Sequence, residues 1–292
     1  MRNSQKGILI VPIFLCSLFF SKNITYSQTI PPQSTINLSL FFSQSLNDDW
    51  KMGKYESFEI SSNNDINLKL SFANNFTFET KNKISLGCKY ETYENNPQND
   101  ILPTDNLIQS ENTLKYLLGW KIDPYINFTA NTQITESFRK SQNVKVATAK
   151  FRDPATTQEG FGFALSFFNN QKSKLEINTG FTTKQIRAEF YTILTDDKKT
   201  KEIERYKVEI GLQFKAEAFY QISDAISYKG KLDATLNMHN GNQLQANNDN
   251  ELKIQIWKIF GILIKIELNY NEQISRKLQY KQSTKFGIIT NF

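Results

Sequence analysis

The stretch YKVEIGLQFKAEAFY, residues 206–220, decides the fold. Tyr206, Val208, Ile210, Leu212, Phe214, Ala216, Ala218 and Tyr220 alternate with Lys207, Glu209, Gln213, Lys215 and Glu217. Successive side chains of a β-strand point to opposite faces, so this is a strand with one apolar and one charged face. Soluble strands usually run about five or six residues, whereas a strand crossing a bilayer needs roughly nine to eleven tilted residues. This run exceeds the bilayer requirement, and its charged face suits a wet interior better than a second apolar layer.

The same alternation extends along most of the chain. Ile36 to Phe42, Phe58 to Phe72, Phe76 to Tyr90, Leu114 to Trp120, Ile126 to Phe138, Phe161 to Phe167 and Leu175 to Phe181 each carry it. So do Ile186 to Phe190, Ile226 to Leu236, Leu252 to Ile256, Ile262 to Leu268 and Leu278 to Phe292. With a weaker segment at 143–152 the sequence predicts an all-β, antiparallel transmembrane β-barrel of about fourteen strands; twelve is the alternative if weak segments merge. Short turns are expected near 74, 123, 183, 224 and 259, and longer loops at 47–55, 94–110, 195–202 and 239–249. Tyr90, Trp120, Tyr125, Tyr220, Tyr228 and Tyr270 fall near strand ends, where interfacial aromatic girdles belong.

The first residues read differently. Arg2 and Lys6 precede the apolar stretch Ile8 to Phe20, and Thr25-Tyr26-Ser27 offers a small-residue cleavage site before Gln28. This is the layout of a secretory signal peptide over residues 1–27, leaving 28–292 as the barrel. Of 35 basic residues three (Arg2, Lys6, Lys22) lie in the leader, which leaves 32 against 29 acidic ones. A net charge of +3 gives no reason to expect nucleic acid. Only Cys88 remains outside the leader, so no internal disulfide is available to an exported chain. Mean hydropathy is −0.48, too polar for a bundle of membrane helices. The expected location is the outer membrane of a Gram-negative bacterium, with outer-membrane lipid as surroundings.

The final strand ends in Phe292, in phase with Phe286 and Ile288. A terminal aromatic on an amphipathic last strand resembles the signal read by the barrel-assembly machinery, which is the partner expected during insertion. Further resemblance lies in Lys150-Phe151-Arg152-Asp153-Pro154, followed by Glu159-Gly160-Phe161-Gly162, and in the strand pair Glu204 to Asn237. Together with Trp50-Lys51-Met52-Gly53 these are similar to an uncharacterised family of Bacteroidota-type outer-membrane β-barrels, although the Asn-rich stretch after the opening element is only partly present. The resemblance implies a barrel and no known activity.

Catalytic and metal chemistry find little support. The single histidine, His239 in Met238-His239-Asn240-Gly241, has no serine within several residues and reads as a surface turn residue rather than a general base. Asp48-Asp49 and Asn247-Asn248-Asp249-Asn250 lack the ordered spacing of a calcium loop. No enzyme activity, cofactor or metal is expected. What remains is the charged face. Lys69, Lys83, Lys89, Glu91, Lys115, Lys121, Lys207, Glu209, Lys215, Glu217, Lys229, Lys231, Asp233, Lys265, Glu267, Lys281 and Lys285 share the lumen phase. Lining an open pore, they would favour anionic solutes in a passive channel or small-solute transporter. Paired across neighbouring strands, they would fill the lumen of a closed structural or partner-binding barrel.

Overall fold

The computed structural model describes residues 32–291 apart from 50–52, 73–74, 94–95, 120, 142–143, 171, 193–194, 197–200, 239–242 and 273–274. The expected leader, His239 and Phe292 lie outside the described residues. The strands are β1 (Gln33–Asp49), β2 (Gly53–Phe72), β3 (Phe76–Tyr93), β4 (Asn96–Tyr116), β5 (Ile122–Thr132), β6 (Ser137–Ser141) and β7 (Val144–Ala149). They continue as β8 (Ala155–Asn169), β9 (Ser173–Arg187), β10 (Tyr206–Ser223), β11 (Ile226–Asn237), β12 (Gln243–Gln255), β13 (Phe260–Asn271) and β14 (Ser275–Asn291). Twelve of them close into one antiparallel barrel in chain order, and β6 and β7 form a separate two-stranded hairpin between β5 and β8.

The barrel therefore has the smaller of the two strand numbers that the alternation allowed. The count of fourteen included the weak segment at 143–152, which is β7 and belongs to the inserted hairpin. Further expectations change. The loops expected at 47–55 and 239–249 are largely strand, since β1 reaches Asp49, β2 starts at Gly53 and β12 starts at Gln243. The polar stretch 94–110 is not a loop but most of β4, paired along β3 from Tyr93↔Asn96 to Phe76↔Tyr116. The turn expected near 183 does not exist, because β9 runs unbroken to Arg187 against both β8 and β10.

The connections at 73–75, 117–121, 170–172, 224–225 and 256–259 fall at one end, here the turn end. Both ends of the cylinder wall, the start of β1 and the finish of β14, lie there too, since Asn37 pairs with Asn291. At the opposite, loop end stand the β6–β7 hairpin and the segment 188–205. Two contacts tie these together. The Asp153 carboxylate accepts hydrogen bonds from the backbone N–H of Glu189 (3.0 Å) and Phe190 (2.9 Å). The Lys150 ammonium sits 3.7 Å above the Phe190 ring. The hairpin's entry, meanwhile, is held by Asn106, in the outward phase of β4. Its Oδ1 accepts from the N–H of Ile134 (2.8 Å) and Thr135 (2.9 Å).

The faces are inverted relative to a soluble protein. Leu38, Ile60, Ile66, Phe161, Phe163, Phe181, Ile210, Leu212 and Phe214 are exposed on the outside, whereas Glu111, Lys115, Glu176, Glu209 and Lys215 are buried within. Water would penalise such a surface, whereas hydrocarbon matches it. A closed barrel also leaves no backbone edge to desolvate. This is the arrangement of an outer-membrane β-barrel. Outward aromatics pair across strands, as in Phe161–Phe181 with ring centroids 5.7 Å apart and Phe260–Phe286 at 6.3 Å.

Curvature depends on glycine where two strands approach closely. Gly162 and Gly180 are register partners on β8 and β9. A Cβ on Gly162 would lie 2.0 Å from the Thr179 carbonyl oxygen, and one on Gly180 2.1 Å from that of Phe161. Only glycine permits this bend of the wall. Closure itself is uneven. β1 pairs with β2 from Gln33↔Lys69 to Asp49↔Gly53, but with β14 only from Asn37↔Asn291 to Phe42↔Phe286. Toward the loop end the remainder of β14 is paired, among the described residues, with β13 alone.

Candidate functional site

The inward face places lysines and carboxylates on opposite walls, within reach of one another across the lumen. β3 and β4 stand on one wall and β9, β10 and β11 on the other. From β3, Lys81 donates to Glu217 on β10 at 2.6 Å. From β4, Lys115 reaches Glu176 on β9 at 2.5 Å. Glu111, also on β4, receives Lys215 of β10 at 3.1 Å and Lys231 of β11 at 3.0 Å.

Longer contacts join these pairs into one network. Lys174 lies 3.7 Å from Glu217 and 3.9 Å from Glu176, while Lys231 lies 3.9 Å from Glu217. Lys215 is also 3.6 Å from Asp233, and Lys81 is 3.9 Å from Glu79. The network thus joins five lysines (81, 115, 174, 215, 231) to five carboxylates (79, 111, 176, 217, 233), with no net charge. The side chains of Lys215, Glu111 and Glu176 are only 5%, 9% and 8% exposed. Uncharged groups pack beside them, for Gln213 and Tyr125 are 1% and 4% exposed. An open water-filled pore would leave such groups wet, so the lumen is filled at this level.

Elsewhere the wall carries smaller clusters. Glu209 is approached by Lys207 at 2.9 Å and Lys184 at 3.7 Å, and Lys184 also donates to Gln245 at 3.0 Å. Lys285 on β14 donates to Glu59 (3.0 Å) and Ser61 (2.8 Å) on β2 and to Asp105 (2.9 Å) on β4. Glu267 accepts from Lys265 and lies 3.6 Å from Lys281. Lys229 is 59% exposed, 4.0 Å from Asp65.

Of the residues expected in the lumen, Lys115, Lys207, Glu209, Lys215, Glu217, Lys229, Lys231, Asp233, Lys265, Glu267, Lys281 and Lys285 take part in these ion pairs. Lys69 stands opposite Glu79 in the β2–β3 register and Lys89 opposite Glu59, in the same inward phase. The Glu91 side chain lies outside the described residues. Lys121 is a correction: it sits in the exposed turn before β5, where its carbonyl accepts from Ser166 N–H at 3.0 Å, and not on the lumen wall. Tyr125 is another, buried inside rather than placed in an outer girdle. Phe286 and Ile288 face outward on β14, Phe286 being exposed. Missing from the expected set were Glu59, Asp65, Glu79, Lys81, Asp105, Glu111, Lys174, Glu176 and Lys184. Period-two phase alone would have found Glu59, between Phe58 and Ile60, Glu79 and Lys81, which share a face with Lys83 on β3, and Lys174 and Glu176, which alternate with Leu175 and Ile177 on β9.

The second half of the chain carries a family signature. Residues 148–292 match DUF481. This family is described as a protein of unknown function. The matched segment contributes Lys174, Glu176, Lys215, Glu217, Lys231 and Asp233 to the network, and Lys81, Glu111 and Lys115 lie before it. No curated protein sequence matches the chain significantly. Among solved structures, the COG4313 outer membrane channel from Pseudomonas putida F1 is similar at 10% identity, over 93% of this chain and 100% of that one, with a TM-score of 0.42. The translocator domain of autotransporter NalP from Neisseria meningitidis is similar at 11% identity, over 89% and 88% of the two chains, with a TM-score of 0.38. The transport unit of the autotransporter AIDA-I from Escherichia coli follows at 8% identity, over 94% and 93%, with a TM-score of 0.34.

Proposed function

We propose that this protein is an outer-membrane barrel of a Gram-negative bacterium that is shut at rest, a structural or partner-binding barrel rather than a passive channel. The observation that carries this reading is the neutral set of wall-to-wall ion pairs through Lys81, Glu111, Lys115, Glu176, Lys215, Glu217 and Lys231. An anion-selective pore needs lysines whose charge faces water, whereas these lysines are spent on carboxylates of the opposite wall. The exposed work then falls to the loop end, where Asp153 and Lys150 hold the segment after β9 against the inserted hairpin. No catalysis and no cofactor form part of the reading. A cleaved leader and the barrel-assembly machinery, engaging Phe286, Ile288 and Phe292, account for delivery.

The test is conductance of the detergent-refolded protein in planar bilayers. Wild-type protein is expected to insert without current steps, and the variant E111A/E176A/E217A to give discrete steps as the cross-lumen contacts are lost. Reproducible wild-type steps of solute-channel size would overturn the closed reading and restore the passive channel.

A further inference from the structure

The outer face of three adjacent strands repeats a three-residue unit. β2 carries Ser62-Asn63-Asn64, β3 carries Thr80-Lys81-Asn82 and β4 carries Ser110-Glu111-Asn112. Lys81 and Glu111 point inward to their ion pairs, so the hydroxyl and amide flanking each of them point outward. In every unit the asparagine Nδ2 donates to the hydroxyl oxygen two residues earlier, at 3.1, 3.2 and 3.2 Å. Asn82 is the register partner of Ser110 and Thr80 that of Asn112, while Asn64 lies opposite Ile84, one outward position from Asn82. The six polar side chains therefore form one continuous stripe.

That stripe lies inside the lipid-facing band. Toward the turn end it is bordered by Ile66, Phe78 and Leu114, and toward the loop end by Ile60, Ile84 and Ile108. On β10 the outward positions from Val208 to Ala218 contain no polar residue. A second outward amide pair, Asn248 and Asn250 on β12, is covered locally, because the Tyr228 hydroxyl donates to Asn250 at 2.7 Å. The stripe has no such cover. Asn82 and Asn112 each spend one N–H on their own strand's hydroxyl, and among the described residues no group meets their Oδ1. Hydrocarbon gives these amides no partner, and leaving them bare there is unfavourable.

We infer that the stripe is the contact surface for a second copy of this chain, in a two-fold dimer with Asn82 nearest the axis. Three features select that occupant. The stripe is uncharged, so it offers no ion pair to an anionic headgroup or a charged partner. Amides and hydroxyls are at once donors and acceptors, so the surface is complementary to itself, as an isologous interface requires. Two copies inserted in the same sense relate by an axis along the membrane normal. This axis sets β3 against β3, and β2 of each copy against β4 of the other, so that like units meet.

Directed cross-linking of the full chain in lipid vesicles tests this. With Cys16 and Cys88 replaced by serine, N82C places a thiol at the proposed axis and A216C places one on the outward face of the opposite wall. Mild oxidation is expected to give at least tenfold more disulfide-linked dimer from N82C than from A216C. The variant N64L/N82L/N112L is expected to remain heat-modifiable on gels, hence folded, while its dimer fraction by light scattering falls at least fivefold. Equal cross-linking at the two positions, or a wild-type protein that is monomeric at every protein-to-lipid ratio tested, would overturn the inference and leave the stripe facing lipid. If the triple leucine variant does not fold, the comparison of N82C with A216C decides alone.

Discussion

Replacing Glu111 with glutamine keeps the side chain's size and removes one charge from the centre of the lumen network. Lys215 at 3.1 Å and Lys231 at 3.0 Å then lose their nearest carboxylate. Each retains one longer contact, to Asp233 at 3.6 Å and to Glu217 at 3.9 Å. Removing one partner of a buried ion pair typically destabilises by about 3–5 kcal/mol, because the other charge stays buried. The surviving contacts put E111Q at the lower end, about 3 kcal/mol. The assay is reversible urea unfolding of the refolded barrel in lipid vesicles, followed by tryptophan fluorescence. A companion variant, E111M/K215M, removes a buried charge of each sign and fills the space with apolar atoms, so it is expected to recover more than half of the loss. The reasoning would be refuted by an E111Q loss below about 0.5 kcal/mol, the value of a solvent-exposed pair. These lysines would then be standing in water, and the lumen would be open.

Other consequences can be checked separately. Gly162→Ala puts a methyl group against the Thr179 carbonyl and the Gly180 Cα, at 2.0 and 2.6 Å, so the variant is expected to lose the heat-dependent gel shift of a closed barrel or to refold in low yield. Asp153→Ala removes a carboxylate that holds two backbone N–H groups, each bond to a charged acceptor contributing about 1.5–3 kcal/mol. Proteolysis within 188–205 should accelerate at least tenfold while barrel unfolding stays unchanged; equal loss of both would contradict a local role. Lys285→Met cuts three contacts that join β14 to β2 and β4, and hydrogen exchange near Phe286 is expected to rise more than exchange in β10. Cys88 is exposed in the outward phase of β3, so a dye on it should be quenched by lipid-soluble quenchers more strongly than by iodide.

The parts of the fold legible in the sequence are those in which alternation is uninterrupted. β10 and β11 could be read residue by residue on either side of the turn at 224–225, because the period holds up to the irregularity at Gln221–Ser223. β4 could not. Pro97, Pro103 and a cluster of Asn and Asp made it look like a loop, yet Pro103 stands opposite Cys88 where the register shifts, at a bulge that tolerates a residue without an N–H. In β9 the run Thr182-Thr183-Lys184 suggested a turn because polar residues occupy both faces. Thr182 is nevertheless buried inside, and Thr183 continues the outer face opposite Ile210. Losing β4 hid Glu111, the carboxylate that receives two lysines. Phase can say that Lys81 and Glu217 both face inward, but not that they meet. That contact, between residues 136 positions apart, is created only when the cylinder closes.

The uneven closure between β1 and β14 has a mechanical meaning. A cylinder resists widening only as well as its poorest longitudinal joint, and here that joint is held from Asn37↔Asn291 to Phe42↔Phe286 while its neighbour runs the full length of β1. Lys285 is anchored just past the last of those pairs, tying β14 to β2 and β4 from within. The side chain acts as a rivet beyond the end of a weld. Lateral tension in the surrounding bilayer would therefore load this short ladder first, and the ammonium group beside it shares that load by an electrostatic tie that the rest of the ring does not need at its longer joints.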